Sequence, residues 1–520
     1  MNIVIVGGGT AGWVTALMAV NRHPNHKVTV IESSKIGVVG VGESTTGRLT
    51  DILVNFAFDY GCDHDEFIAE TGATLKYAIH HKGWTPDINS GYIGPIDGSL
   101  TRDSVPDPMF AWGLNKLKYE DLIKVSKCGN LISKGMSNFS KTHKKFIHYS
   151  HAMHVDAHLV GKYFKKVCLR KENSSYIDAI VKHVNLNSYD GFIKSVVLDD
   201  GQVIEGDFFI DCSGFNKILM NAVAPNQWVS YSKNLPLNTG LPFLLKYKEG
   251  EVPEPYTTAW AQKNGWMWQI PLMDRKGCGY VFCDAFTTPD KAQEEIETIL
   301  GQEIEPVRVI KFDPGRQESA WVKNCLAIGL SSAFLEPLEA TSIHSTVVQA
   351  HNFVFEYLKG DITDTMNEGS RRMYNHRTRS MYDDVKDFLV MHYMGGREDS
   401  EFWKMIKTGV TKTDYVDTLL HMVKTKMPSA NDFPNYPGSA GWPLYSYVLA
   451  GLHLINKKAA DSELDMILPQ HGMLRNVTAE VYYNTHDLWD AEIRDSYSYE
   501  EFIKYFRDIR YKNGFSDIKY

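Results

Sequence analysis

The stretch Ile3-Val4-Ile5-Val6-Gly7-Gly8-Gly9-Thr10-Ala11-Gly12-Trp13 decides how the rest of this 520-residue chain is read. Four consecutive apolar β-branched residues, Ile3 to Val6, predict a strand buried in a parallel sheet. Gly7, Gly9 and Gly12 then satisfy the spacing G-x-G-x-x-G. In that pattern the first glycine permits a tight turn and the second lets backbone approach a pyrophosphate. The third lets a helix pack on the strand. A second strand, Lys27 to Ile31, runs into Glu32, twenty residues past Gly12. An acid at that distance would accept hydrogen bonds from a ribose hydroxyl. Strand, glycines, helix and spaced acid together predict a dinucleotide site.

Working outward, Gly37, Gly40, Gly42 and Gly47 mark a loop just after the ribose strand, where backbone would lie against the cofactor. The apolar run Phe208-Phe209-Ile210 ends in Asp211-Cys212-Ser213-Gly214-Phe215, the form of a second pass of the sheet back to the dinucleotide. A further buried strand, Cys325 to Leu330, leads to Glu336-Pro337-Leu338-Glu339-Ala340-Thr341-Ser342. A helix is expected from Ile343 to Gly360. Thr341 and Ser342 would then stand at its N-terminus, where free N–H groups and the dipole attract an anion.

Other segments carry less. Thr71 to Ile79 reads as one strand, with Leu75, Tyr77 and Ile79 on one face and Lys76 on the other. A lone lysine there is ordinarily a solvated charge. Residues 84–115, rich in Pro, Gly and Asp, read as a long irregular insertion. Gly265-Trp266-Met267-Trp268-Gln269-Ile270-Pro271 puts two indoles side by side on one strand face, lining a core or walling a cavity. Thr288 and Pro289 open a helix that Gly301 ends. From residue 360 onward the pattern turns mostly helical, with candidates at 368–392, 399–408, 414–426, 443–457 and 499–511. Between them, 428–443 is a loop carrying Phe433, Tyr436 and Trp442.

Composition excludes several classes. Hydrophobic residues make up 43% and charged residues 23%, ordinary for a globular protein. A net charge of -8 leaves no electrostatic footprint for nucleic acid. Seven scattered cysteines without C-x-x-C fit free thiols in a reducing compartment. No apolar run approaches the ~20 residues of a membrane span, and a strand beginning at residue 2 leaves no room for a signal peptide. A cytoplasmic protein without membrane attachment is expected. No metal-ligand spacing stands out.

Five motifs in this order resemble the flavin-dependent tryptophan halogenase family: Gly7 to Trp13, Gly40 to Thr45, Asp211 to Phe215, Trp266 to Pro271, and Glu336 to Ser342. The first and third are shared with many flavin monooxygenases. The W-x-W-x-I-P stretch separates halogenases from hydroxylases. The resemblance implies an α/β fold: an FAD-binding, Rossmann-like domain of flavin monooxygenase type over residues 1–360, and a largely helical substrate-binding part over 361–520.

It also implies chemistry. Reduced FAD (FADH2), supplied by a separate flavin reductase, would react with O2, and a chloride or bromide ion would be oxidised to hypohalous acid. A lysine would hold that species, as haloamine or by hydrogen bond, and deliver halogen to a small electron-rich aromatic substrate, indole-like or phenolic. Carried over by motif, the lysine is Lys76, with Lys82 next in line, and the proton-handling glutamate is Glu339. FAD contacts would include Gly8, Thr10, Ala11, Glu32, Gly42, Glu43, Ser44, Leu330 and Ile343, beside Gly7, Gly9 and Gly12. Halide would rest on the amides of Thr341 and Ser342, and Trp266 and Trp268 would wall the tunnel between the two sites. The chain departs from the family pattern at Ala340, usually Ser, and at Ser342, usually Gly. A flavin-dependent aromatic hydroxylase of the same fold is the nearest alternative, and a non-catalytic flavoprotein a more distant one.

Overall fold

Ile3 to Val6 form the middle of a six-stranded sheet and are all buried. The strand Asn2–Val6 pairs in parallel with Lys27–Glu32 on one side and Phe208–Asp211 on the other. Beyond these lie Ser174–Asp178 at one edge, and Cys325–Ala327 and Trp321–Val322 at the other. Each fully buried Val or Ile contributes roughly 1.5–3 kcal/mol of hydrophobic stabilisation, so a central strand of four such residues is strongly specified. The computed structural model describes the chain except residues 38, 39, 41, 57, 97–107, 149–150, 410, 434–437, 439, 471–474 and 516–520, and except the side chains of 108, 442, 466–470 and 475–478. Tyr436 and the Trp442 side chain fall outside the described residues.

The parallel register carries three loops to one edge. Val6 pairs with Ile31 and with Asp211, and Asp211 pairs with Ala327. The glycine loop, Glu32, Cys212–Gly214 and the turn at Gly329–Ser331 therefore emerge together at the C-terminal ends of the strands, where α/β sheets bind ligands. Asp211 ties two of these loops together. Its carboxylate accepts from the Ser213, Leu219 and Met220 amides and from the Ser331 hydroxyl, at 2.8 to 3.0 Å.

A second, seven-stranded sheet contains Gly265–Pro271 next to Tyr256–Gln262, which pairs in parallel with Ala78–Lys82. A small third sheet joins Glu43–Ser44, Ala152–Val155 and Thr74–Lys76. The expected single strand over 71–79 is thus two strands in two sheets. It breaks at Tyr77, whose amide donates to Pro255 O at 2.7 Å while its carbonyl accepts from Ile96 N at 3.0 Å. The described parts of 84–115, residues 84–96 and 108–115, are not the irregular insertion that their composition suggests. They contribute the strand Gly91–Pro95, antiparallel to Ala78–Lys82, and the helix Pro108–Lys116.

The Thr288 cap, Pro289 start and Gly301 stop are all observed around the helix Pro289–Leu300. The helix Glu368–His392 spans the expected residues. The expected helix 443–457 instead runs Gly441–Gly451, and a new one starts at Lys457 after His453 turns left-handed (φ 61°). A helix at Arg475–Glu492 has no counterpart in the sequence reading. Beyond residue 360 the described regular elements are helices apart from Ser496–Ser498, which pairs with Met136–Ser140. Packing crosses that point in both directions. Phe502, Ile503 and Phe506 of the last helix join the core around the first strand. Conversely, Ile79, Trp84 and Tyr92 join the core of the helices that follow residue 360. No described helix is long and apolar enough to cross a membrane.

Candidate functional site

The C-terminal edge of the six-stranded sheet is built by backbone. Gly7 has φ 114°, and a Cβ there would lie 2.1 Å from Cys212 O; a Cβ on Gly12 would lie 1.9 Å from Gly7 O. Both positions exclude any side chain because strand, turn and helix touch. A Cβ on Gly9 would meet no protein atom within 4 Å. Gly9 also caps the helix Thr10–Arg22 without a side-chain hydrogen bond, leaving its N-terminal amides and dipole toward the open side. Glu32 lies across Gly8, held by Trp13 Nε1 donating to its Oε2 at 2.6 Å and by Lys165 at 3.4 Å. Diphosphate on the open glycines and ribose on Glu32 fit this edge, so the residues present suit a dinucleotide.

Next to that edge lies the second glycine loop. Gly42 has φ 154°, and Glu43 and Ser44 form the short strand of the third sheet. Burial, then the charge of Asp156, raise the Glu43 carboxyl to about 7. Ser44 shares a 2.8 Å hydrogen bond with Thr257, tying this loop to the second sheet. Leu330 sits in the turn after Cys325–Ala327, and Ile343 is buried in the same core as Trp13.

Where the third sheet meets the second, Lys76 is 1% exposed. The break at Tyr77 turns it inward, with Thr74–Lys76 carried by one sheet and Ile79 and His81 by the other. Its Nζ donates to Thr45 O at 3.0 Å. Burial lowers its pKa to about 8, against the opposing pull of Glu339. Lys82, six residues further on, lies over the Trp260 ring at 3.7 Å.

Lys76 and Glu339 line one cavity of about 320 Å³, together with His81, Ile79, Pro95, Ile96, Phe388, Leu444 and Tyr447. Glu339 ends a short 3-10 turn, after which Ala340 adopts φ 57° and starts the helix Thr341–Asn352. That start lies two residues earlier than expected, and the helix passes into a π turn at Phe353–Tyr357. Ala340 cannot cap, so the amides of Thr341 and Ser342 open this helix without a side-chain partner from the cap position. Burial pushes the Glu339 carboxyl up, but His392 and His81 outweigh it and hold the group well below the usual carboxylate range. His392 Nε2 lies 2.8 Å from Glu339 Oε1, and His81 Nε2 lies 2.9 Å from the same oxygen. One donor atom from each of His81, Glu339 and His392 lies within 4.8 Å of the others, a spacing that could also hold a metal ion. The 2.8 Å contact from His392 Nε2 has hydrogen-bond geometry.

Trp266 and Trp268 do share a face, with ring centroids 6.2 Å apart. Neither is among the residues lining the Lys76 cavity. Trp266 is 1% exposed among Trp84, Trp268 and Tyr393, and donates to Glu336 Oε2 at 3.2 Å. Glu336 is fully buried, which raises its carboxyl to about 7 against the donors Tyr393 and Trp266.

His81, His392 and Phe388 were not visible as site residues in the sequence. The one available signal was spacing: Ile79 and His81 share a strand face, and Phe388 and His392 stand one helical turn apart. Nothing local says that the two elements converge.

Comparison with known proteins gives a consistent kinship. Residues 2–462 match the model of the tryptophan halogenase family. The tryptophan 6-halogenase of Streptomyces toxytricini is 31% identical over 86% of this chain and 88% of its own length. A flavin-dependent halogenase from Brevundimonas, of known structure, is 27% identical with a TM-score of 0.81, covering 97% of this chain and 99% of that one. The tryptophan halogenase structure from Shewanella frigidimarina superposes with a TM-score of 0.87 at 23% identity, over 98% of each chain, and speaks to the fold.

Proposed function

This chain belongs to the tryptophan halogenase family, and from that premise we propose how its residues share the work. It is a flavin-dependent halogenase, an enzyme of the oxidoreductase class. The cofactor implied by the family is FAD; Gly7 to Gly12 would hold its diphosphate and Glu32 its ribose, and Gly42 to Ser44, Leu330 and Ile343 would hold the flavin. A separate flavin reductase delivers it reduced. Reduced FAD with O2 supplies the oxidising power that turns halide into hypohalous acid. Thr341 and Ser342 hold the halide on their backbone amides. Residues 1–360 carry the flavin chemistry and residues 361–520 cover the substrate.

Lys76 receives the hypohalous acid and presents halogen to the ring of a small electron-rich aromatic, indole-like, tryptophan-like or phenolic, in the 320 Å³ cavity. Glu339 accepts the ring proton. The observation that carries this reading is that a buried lysine and a largely enclosed glutamate, held ionised by two histidines, line one cavity beside the second glycine loop. Such a pairing of shifted groups in one cleft is typical of reacting sites.

One assay tests it. The protein is incubated with a flavin reductase, FAD, NADH, bromide and a library of indoles and phenols, and the products are weighed. Monobromination is expected. A product heavier by one oxygen would instead assign a hydroxylase, and no product across the library would leave the halogenase reading without support.

A further inference from the structure

Both imidazoles at Glu339 approach the same oxygen, Oε1. No described residue hydrogen-bonds to the other oxygen. His392 Nδ1 lies 2.8 Å from Phe388 O. A carbonyl only accepts, so Nδ1 carries a proton, and a hydrogen bond from Nε2 to the ionised Glu339 requires a second proton on the ring. The ring is fully buried in the last turn of the helix Glu368–His392 and cannot turn away without losing both contacts.

His81 is fixed differently. Its ring stacks on Tyr92, with centroids 4.6 Å apart and planes at 12°. Tyr92 in turn lies on Gly451, where a Cβ would come within 2.1 Å of its ring. The His81 contact with Oε1 is short but off the N–H axis, so it is a close electrostatic approach rather than a hydrogen bond. Only the His392 contact has hydrogen-bond geometry.

We propose that His392 is a positioning residue for Glu339: its Nε2 ties down Oε1 and so presents Oε2 to the cavity as the oxygen that accepts the ring proton. This rests on the reading of Glu339 as the base. The step balances simply. After halogen has joined the ring carbon, that carbon's C–H bond breaks, its electron pair returns to the ring, and the proton goes to Oε2. The proton between His392 and Oε1 stays where it is, and Oε2 later releases its own to solvent. His392 touches no reacting atom and acts only through Glu339.

That last property gives the test. Steady-state halogenation is measured for the full-length enzyme with reductase, FAD and bromide, for parent, Glu339→Gln, His392→Phe, His392→Gln and the double variant Glu339→Gln/His392→Phe. FAD affinity is measured separately by fluorescence. His392→Phe should lower kcat by about 10–100-fold, the loss of one charge-assisted hydrogen bond, with KM for the aromatic and FAD affinity unchanged. His392→Gln, which keeps a donor, should recover part of it. In the Glu339→Gln background His392→Phe should cost nothing more.

If the two losses multiply, or if His392→Phe keeps the parent kcat while Glu339→Gln does not, the positioning role is overturned. If Glu339→Gln itself runs at the parent rate, it is the reading of Glu339 as base that fails. Should His392→Phe not fold, the same cycle is run with His392→Gln, where loss of more than half the parent rate is expected and full additivity would sink the proposal.

Discussion

The nucleotide edge and the lysine cavity lie on either side of one short loop, Gly42 to Thr45, yet they are built by different means. At the edge the working parts are backbone: glycines packed to 1.9 and 2.1 Å, an open helix terminus and one carboxylate. At the cavity they are side chains from three separate stretches of chain, Lys76 and His81, then Glu339, with His392 behind Glu339. The first kind of site is specified by which residues are missing a side chain. The second is specified by burial, which sets the charge of each group. The teaching is that the two should fail differently when altered.

The largest failure should follow removal of the amine. Lys76→Ala should abolish halogenation while FAD affinity, read by flavin fluorescence, stays at the parent value. An alanine variant that still halogenates an indole with free hypohalous acid scavenged would break the division between edge and cavity and point to Lys82. Glu339→Gln should lower kcat by ~10²–10⁴, the range for a positioned proton acceptor, again with FAD affinity intact.

Gly9→Ala sharpens the contrast from the other side. The protein has room for that methyl group, so the melting temperature should hardly move. FAD binding should weaken by roughly tenfold, as one or two amide contacts to phosphate are lost. Unchanged affinity would show that the diphosphate does not pass over Gly9. Gly12→Ala, by contrast, collides with Gly7 O and should lower the melting temperature itself.

Acidity gives a smaller effect confined to the cavity. Burial brings Lys76 to about 8, so raising the pH from 7 to 9 converts most of its ammonium to amine. With ionised Glu339 nearby, the ammonium is the form present at neutral pH, and delivery from hydrogen-bonded hypohalous acid should fall by about tenfold over that interval. A single-turnover rate that rises instead would assign the haloamine route, and a flat profile would remove Lys76 from the chemistry. The smallest change expected is at the halide. Ser342→Gly removes a side chain beside the proposed anion site and should shift the ratio of chlorinated to brominated product. A constant ratio in mixed halide would put the anion elsewhere.

How much of this was legible differs between the two regions in the same way. The strand Ile3 to Val6, the three spaced glycines and Glu32 announce themselves because each acts through its own backbone or at a set distance along the chain. The Thr288 cap and Gly301 stop are legible for the same reason. The break at Tyr77 was not, because it depends on Pro255 and Ile96, which take its hydrogen bonds from outside the segment. Nor was the strand Gly91–Pro95, which forms by lying along Ala78–Lys82.

Sequence by itself determined the parallel sheet, the glycine turn at its edge and the family to which the chain belongs. Those follow from spacing, from β-branched runs and from glycines, all properties carried along the chain. Only the tertiary structure decided that Lys76 is buried and lowered to about 8, that Glu339 is held ionised, and that His81 and His392 meet on one of its oxygens. A side chain's charge depends on which solvent it has lost and which partners replace it. Both are set by neighbours hundreds of residues away, so no local reading of Thr-Leu-Lys-Tyr could have supplied them.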